Sequence, residues 1–252
     1  MPDPEPERAP SRRDDGDAWE ANARWWQEGF TDGADPEYEE QILPIVAEQL
    51  AGRRHVLDVG TGEGQLARHL LAHGVDRVTG IDPTVNQLRE AVARGSSARY
   101  VRGDATHLPF ADGTFDGVLA CLVFEHIAEV DDALAEVARV LAPGGTFLFL
   151  LNHPLLQAPD SGWVDDQILG EQYWRIGPYL IESLEDEELA PGIRLPFFHR
   201  PMSRYVNGMA ANRLLIDGML EPSPPPGFIA RAVEYAGSAA FPRLLVLRAQ
   251  RH

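Results

Sequence analysis

The chain has 252 residues, 44% hydrophobic and 24% charged, which is enough to bury one sizeable core. Its formal net charge of −17 argues against phosphate backbones and anionic lipid surfaces as partners. All 22 basic residues are Arg, which excludes a Schiff-base lysine and the lysine of a phosphate-binding P-loop.

Residues 1–17 carry Pro and acidic residues with little to bury, and read as a disordered acidic tail without the apolar centre of a secretory signal. Residues 1–40 hold 13 Asp and Glu against 4 Arg, so the rest of the chain is only moderately acidic. Aromatic residues begin at Trp19 and continue through Trp25, Trp26, Phe30 and Tyr38. The spacing of Ile42, Leu43, Val46 and Leu50 predicts a helix over 36–51 with Gly52 as its stop.

Strand and helix signals then alternate. Strands are predicted at 55–59, 77–81, 98–101, 117–121 and 146–151, and helices at 65–73, 87–94 and 132–141. Short apolar strands separated by amphipathic helices imply a mostly parallel sheet covered on both faces. Residues 152–200 are rich in aromatic, Pro and acidic residues without clean periodicity, and are read as an insertion over the mouth of the sheet. A helix over 201–213 and closing strands at 214–220 and 244–247 follow, separated by the stiff run 222–227. The longest apolar run, Phe147–Leu151, is far too short to cross a bilayer. A soluble, cytoplasmic protein is expected. Cys121 is the single cysteine, which excludes an intrachain disulfide.

The informative segment is Val56-Leu-Asp58-Val-Gly60-Thr61-Gly62-Glu-Gly64-Gln65, a strand breaking into a glycine loop and then a helix. Such a loop lets backbone approach a ligand, and the helix start offers free N–H groups. A dinucleotide fingerprint would need its third glycine at 65, where Gln65 stands. Four companions follow. They are Asp82 at the end of the second strand, suited to accept from ribose hydroxyls, and the polar turn Gly103-Asp104-Ala105. After these come Phe115-Asp116-Gly117 leading to Glu125-His126, and Arg139-Val-Leu-Ala-Pro143-Gly144-Gly145-Thr146.

Together these motifs, over about 55–151, resemble the class I S-adenosylmethionine-dependent methyltransferases of the UbiE-like, type 11 group. The resemblance implies an α/β fold: a Rossmann-like, doubly wound, mostly parallel seven-stranded sheet with an N-terminal helical and aromatic segment and a cap insertion after strand five. It divides the chain into an 18–52 N-terminal segment, a 53–151 cofactor-binding core, a 152–200 substrate cap and a 201–252 closing unit. It implies S-adenosyl-L-methionine as cofactor and S-adenosyl-L-homocysteine as product. By similarity, Gly60, Thr61 and Gly62 line the methionine part, Asp58 orients the loop or reaches the ammonium, and Asp82 holds the ribose with Pro83 beside the adenine. Asp104 and Ala105 bracket the adenine amino group, and Cys121 and Leu122 lie near the ammonium.

Ligands of open α/β sheets bind at the carboxyl ends of the strands, so His153, His199 and His126 are the candidate general bases. Trp25, Trp26, Phe30, Tyr173, Trp174 and Phe198 are the candidate substrate-facing aromatics. Arg200 and Arg204 suit either a substrate carboxylate or an ion pair with the acidic run 185–188. No metal site is expected. The expected function is methyl transfer to a small organic acceptor, aromatic or polyketide-like. Quinone or lipid methylation and a non-catalytic cofactor-binding scaffold are the alternatives. The expected partner is a small molecule, with no nucleic acid and no membrane, and self-association as a homodimer stays open.

Overall fold

The structure, a computed structural model, describes residues 14–231 and 239–252. Residues 1–13 of the expected tail therefore lie outside the described residues, and Asp14 already opens helix α1 (Asp14–Gly29). A π-helical turn (Tyr38–Ile42) runs into α2 (Leu43–Gln49). The alternating unit then comprises β1 (His55–Val59), α3 (Gln65–Ala72), β2 (Arg77–Asp82), α4 (Val85–Ala93), β3 (Arg99–Arg102), β4 (Phe115–Cys121), α5 (Val130–Val140) and β5 (Leu141–Asn152). A 3₁₀ turn, Phe124–His126, follows β4.

Two short hairpins come next, β6 (Gly162–Asp166) with β7 (Glu171–Arg175) and β8 (Ser183–Ala190) with β9 (Ile193–His199). The chain closes with α6 (Met202–Ala211), β10 (Leu214–Leu220), α7 (Pro226–Arg231) and β11 (Leu244–Arg251). The central sheet has seven strands in the order β10-β11-β5-β4-β1-β2-β3. Pairs from β5 through β3 are parallel, and β10 and β11 join antiparallel.

Alternate strand residues divide between two cores, as a sheet with both faces covered requires. Leu57, Val118, Phe147, Phe149, Leu245 and Leu247 enter one core with α5 and α6. Val56, Leu119, Leu148, Leu150, Leu244 and Val246 enter the other with α2 and α3. Ala133, Leu134, Val137 and Val140 give α5 its buried stripe, each large side chain contributing about 1.5–3 kcal/mol. Strand order reverses between β1 and β4, so the crevice at their carboxyl ends is the natural ligand position.

The aperiodic reading of 152–200 is corrected by the two hairpins, whose signals are their turns rather than their strands. Asp166 accepts from the Ile168 and Leu169 amides ahead of Gly170, and Pro191-Gly192 turns β8 into β9. The expected partners of Arg200 and Arg204 also change. Arg200 is buried and donates to the carbonyls of Phe124, Ile127 and Ala128. Arg204 pairs with Asp131 at 2.6 Å and with Glu182 at 3.3 Å. It is Arg194 that meets the acidic run, through Asp186 at 2.7 Å and Glu188 at 3.2 Å.

Candidate active site

The loop after β1 is built to leave room. Gly60 and Gly64 have φ of +69° and +81°, where a side chain is strained. A Cβ at Gly60 would overlap Val123 of the segment after β4. Beneath the loop, the Thr61 hydroxyl donates to Asp58 Oδ2 at 2.6 Å, and burial pushes the Asp58 carboxyl up to about 7. Asp58 thus fastens the loop from below and does not itself line the cavity. Asp82 ties the loop to β2, since the Gly62 amide donates to Asp82 Oδ2 at 2.9 Å. Asp82 Oδ1 accepts from the Thr84 amide and hydroxyl. Burial raises the Asp82 carboxyl, and these donors oppose that shift.

Above the loop lies a cavity of about 630 Å³, within the ~300–1,000 Å³ usual for small-molecule sites. The structure brings together in its lining Gly60, Thr61, Gly62, Asp82, Pro83, Asp104, Ala105, Cys121, Leu122, Trp26 and His126. Asp104 Oδ1 accepts from the Thr106 amide at 2.7 Å, which sets the polar turn after β3. Cys121 shares a hydrogen bond with the Tyr38 hydroxyl, and burial pushes both groups up.

Other candidates lie elsewhere. His153 is buried, and its Nδ1 accepts from the Leu155 amide, so Nε2 donates to Glu221 at 2.8 Å. His199 is also buried, with Nε2 donating to the Tyr179 carbonyl at 2.9 Å. Neither lines the cavity, and neither do Trp25, Phe30, Tyr173, Trp174 or Phe198. Phe30 stacks on Trp26 at 4.5 Å and Trp25 packs on Phe30 at 5.0 Å, a support behind the cavity wall. Trp174 packs on Trp163 at 5.5 Å, while Phe198 lies beneath the Arg200 guanidinium.

Several lining residues escaped sequence reasoning: Trp19, Thr31, Tyr38, Glu63 and Gln65. Glu63 is 1% exposed and is held by Arg68 at 2.5 Å and Arg94 at 2.9 Å. Arg94 also donates to the Thr31 hydroxyl and pairs with Asp32, which draws the segment after α1 over the glycine loop. Glu20 accepts from the Val85 and Asn86 amides at 2.6 and 3.1 Å, docking α1 on the start of α4. Gln65 Nε2 is a buried donor with no partner among the described residues. His69 on α3 and His73, its C-terminal cap residue, stand four apart, which corrects the reading that the histidines hold no such spacing. Their rings are 4.0 Å apart, and no third ligand completes a metal group among the described residues.

Comparison with known proteins agrees with this geometry. Residues 57–149 match the family model described as a methyltransferase domain. A demethylmenaquinone methyltransferase of Thermus thermophilus is 39% identical over 124 residues, 47% of this chain and 55% of that protein. A ubiquinone/menaquinone biosynthesis C-methyltransferase of Paracoccus denitrificans is 37% identical over 122 residues, 45% and 48% of the two chains. A solved S-adenosylmethionine-dependent methyltransferase from Mesorhizobium loti superposes with a TM-score of 0.73 at 28% identity, over 84% of this chain and 97% of its own. Residues 57–149 thus match a methyltransferase domain, and the fold around them is that of a solved S-adenosylmethionine-dependent methyltransferase. The chain spans about half the length of the curated relatives it matches.

This methyltransferase core implies S-adenosylmethionine as cofactor, and the lining fits it. Asp82 keeps one lone pair, on Oδ2, for a ribose hydroxyl, the Cβ-free surface of Gly62 admits close approach, and Gln65 Nε2 offers a donor unspent among the described residues.

Proposed function

We propose that the chain binds S-adenosylmethionine and catalyses transfer of its methyl group to a small organic acceptor, aromatic or polyketide-like. The observation that carries this reading is the junction of the glycine loop with Asp82 at the point where strand order reverses. When bound, the cofactor supplies a sulfonium methyl already activated for displacement. The chain's own task is then to hold and orient. Asp82 and Asp104 take the polar groups of the adenosine, and the loop over Asp58 takes the methionine end. Trp19, Trp26 and Tyr38 keep water from the reacting atoms. Proximity and alignment supply most of the acceleration for such a transfer.

In this proposal residues 18–52 form the acceptor side over the 53–151 core, β9 of the 152–200 segment backs it through Pro196 and Phe197 behind His126, and the protein works in the cytoplasm. Quinone methylation is the second reading, favoured by the names of the relatives. The family match ends at residue 149 and leaves out Trp19, which lines the cavity, and β9, which backs His126. Titration calorimetry with S-adenosylhomocysteine, followed by a methyl-transfer assay over phenols, polyketide-like enols and short-chain quinols, tests the proposal. Absence of cofactor binding overturns it. Binding with no transfer to any acceptor favours a scaffold.

A further inference from the structure

The cavity also runs along residues 126–132, which follow the Glu125-His126 end of the third motif. His126 there has one nitrogen already committed. Its Nδ1 lies 2.7 Å from the Pro196 carbonyl of β9. A carbonyl only accepts, so Nδ1 carries the proton and Nε2 the lone pair. No hydrogen bond among the described residues engages Nε2. Trp19 meets the ring edge-on at 4.9 Å and Phe197 at 5.9 Å, so α1 and β9 clamp it from two sides.

Burial pushes the imidazole down to about 4, and no carboxylate opposes that shift. The titratable groups near this end are Glu129 and Asp132 on the segment that follows, with Tyr38, Glu63, Asp82, Asp104, His107 and Cys121 elsewhere in the lining and Arg200 donating to the Ile127 and Ala128 carbonyls behind it. No Arg lines the cavity among the described residues, and the chain has no Lys.

We propose that His126 Nε2 accepts a hydrogen bond from the hydroxyl or amine of a planar acceptor packed against Trp19, and that it disfavours acceptors that present only acceptor oxygens there, such as a carboxylate. The inference rests on the methyl-transfer reading. A group with only acceptor oxygens would set lone pair against lone pair at Nε2. His126 then fixes the acceptor's orientation through an interaction that exists only when β9 is in place, because Pro196 sets the tautomer.

The test uses the full chain saturated with S-adenosylhomocysteine, ¹⁵N-labelled at histidine, with 2-naphthol and 2-naphthoate as probes. The expected spectrum shows His126 neutral and protonated at Nδ1 throughout the neutral range, with Nε2 shifting on addition of 2-naphthol. By calorimetry 2-naphthol binds at least tenfold more tightly than 2-naphthoate. His126→Phe brings the two within about twofold while leaving S-adenosylhomocysteine affinity unchanged. An Nε2–H tautomer, naphthoate binding as tight as naphthol, no naphthol binding at millimolar concentration, or unchanged discrimination in His126→Phe each overturns the inference. The tautomer readout needs no variant and no cofactor. Failure of S-adenosylhomocysteine to bind alongside an Nδ1–H His126 therefore sinks the methyl-transfer reading and not the ring assignment.

Discussion

The Gly62 amide donates to Asp82 Oδ2 at 2.9 Å, so the loop after β1 and the carboxylate that ends β2 form one unit. On the proposed reading, in which Asp82 meets the ribose, Asp82→Ala removes a ligand contact together with the loop anchor. Hydrogen bonds to a charged group contribute about 1.5–3 kcal/mol each. The expected result is a loss of S-adenosylhomocysteine affinity of tenfold or more, read by calorimetry, and unchanged affinity removes the ribose assignment.

Gly60→Ala combines two costs, a side chain at φ +69° and overlap with Val123. The expected destabilisation is about 1–3 kcal/mol with a clear loss of cofactor affinity. Adding Val123→Ala relieves the overlap and not the dihedral, so the double variant recovers only part of the loss. Full recovery in thermal unfolding and binding shows that the dihedral carries no cost.

Glu125 gives a stability signal with a definite sign. Its Oε1 accepts from the Asn152 side chain at 3.1 Å, its Oε2 is buried without a partner among the described residues, and burial pushes the carboxyl up to about 7. A carboxyl raised on folding is favoured while both states are protonated. That advantage is lost as pH rises from the unfolded value near 4.3 through the folded value. Glu125→Gln keeps an oxygen for Asn152 and has no proton to lose. Chemical denaturation is expected to show wild type weakening relative to Glu125→Gln between about pH 4.5 and 7.5. Parallel pH profiles contradict the burial argument.

Glu20→Ala removes the acceptor for two first-turn amides of α4. Such a cap is worth about 1 kcal/mol. Because the same contact positions Trp19 at the cavity, acceptor KM is expected to rise more than kcat falls. An equal fall in kcat with KM unchanged places α1 outside acceptor binding.

The fold was legible where pattern and position coincide. Buried runs such as Val56–Val59 and the stripe of α5 announce their elements, and Asp82 announces itself as an acid closing a strand beside a glycine loop. His153 misled because its partner, Glu221, lies 68 residues away. Nothing local shows that its ring is already spent. Trp19 was silent for the opposite reason. A lone aromatic near the start of a polar helix says nothing until Glu20 docks that helix on α4. The β6–β7 and β8–β9 hairpins were hidden because their strands are short and half exposed, so alternation is weak and only the turns speak.

The two aromatic jaws around His126, Trp19 and Phe197, both fall outside residues 57–149, which match the methyltransferase family. Tool handle and tool bit are therefore separately encoded. Grafting the stretches around these two rings from one homologue onto another would retarget the molecule without redrafting its grip on the cofactor.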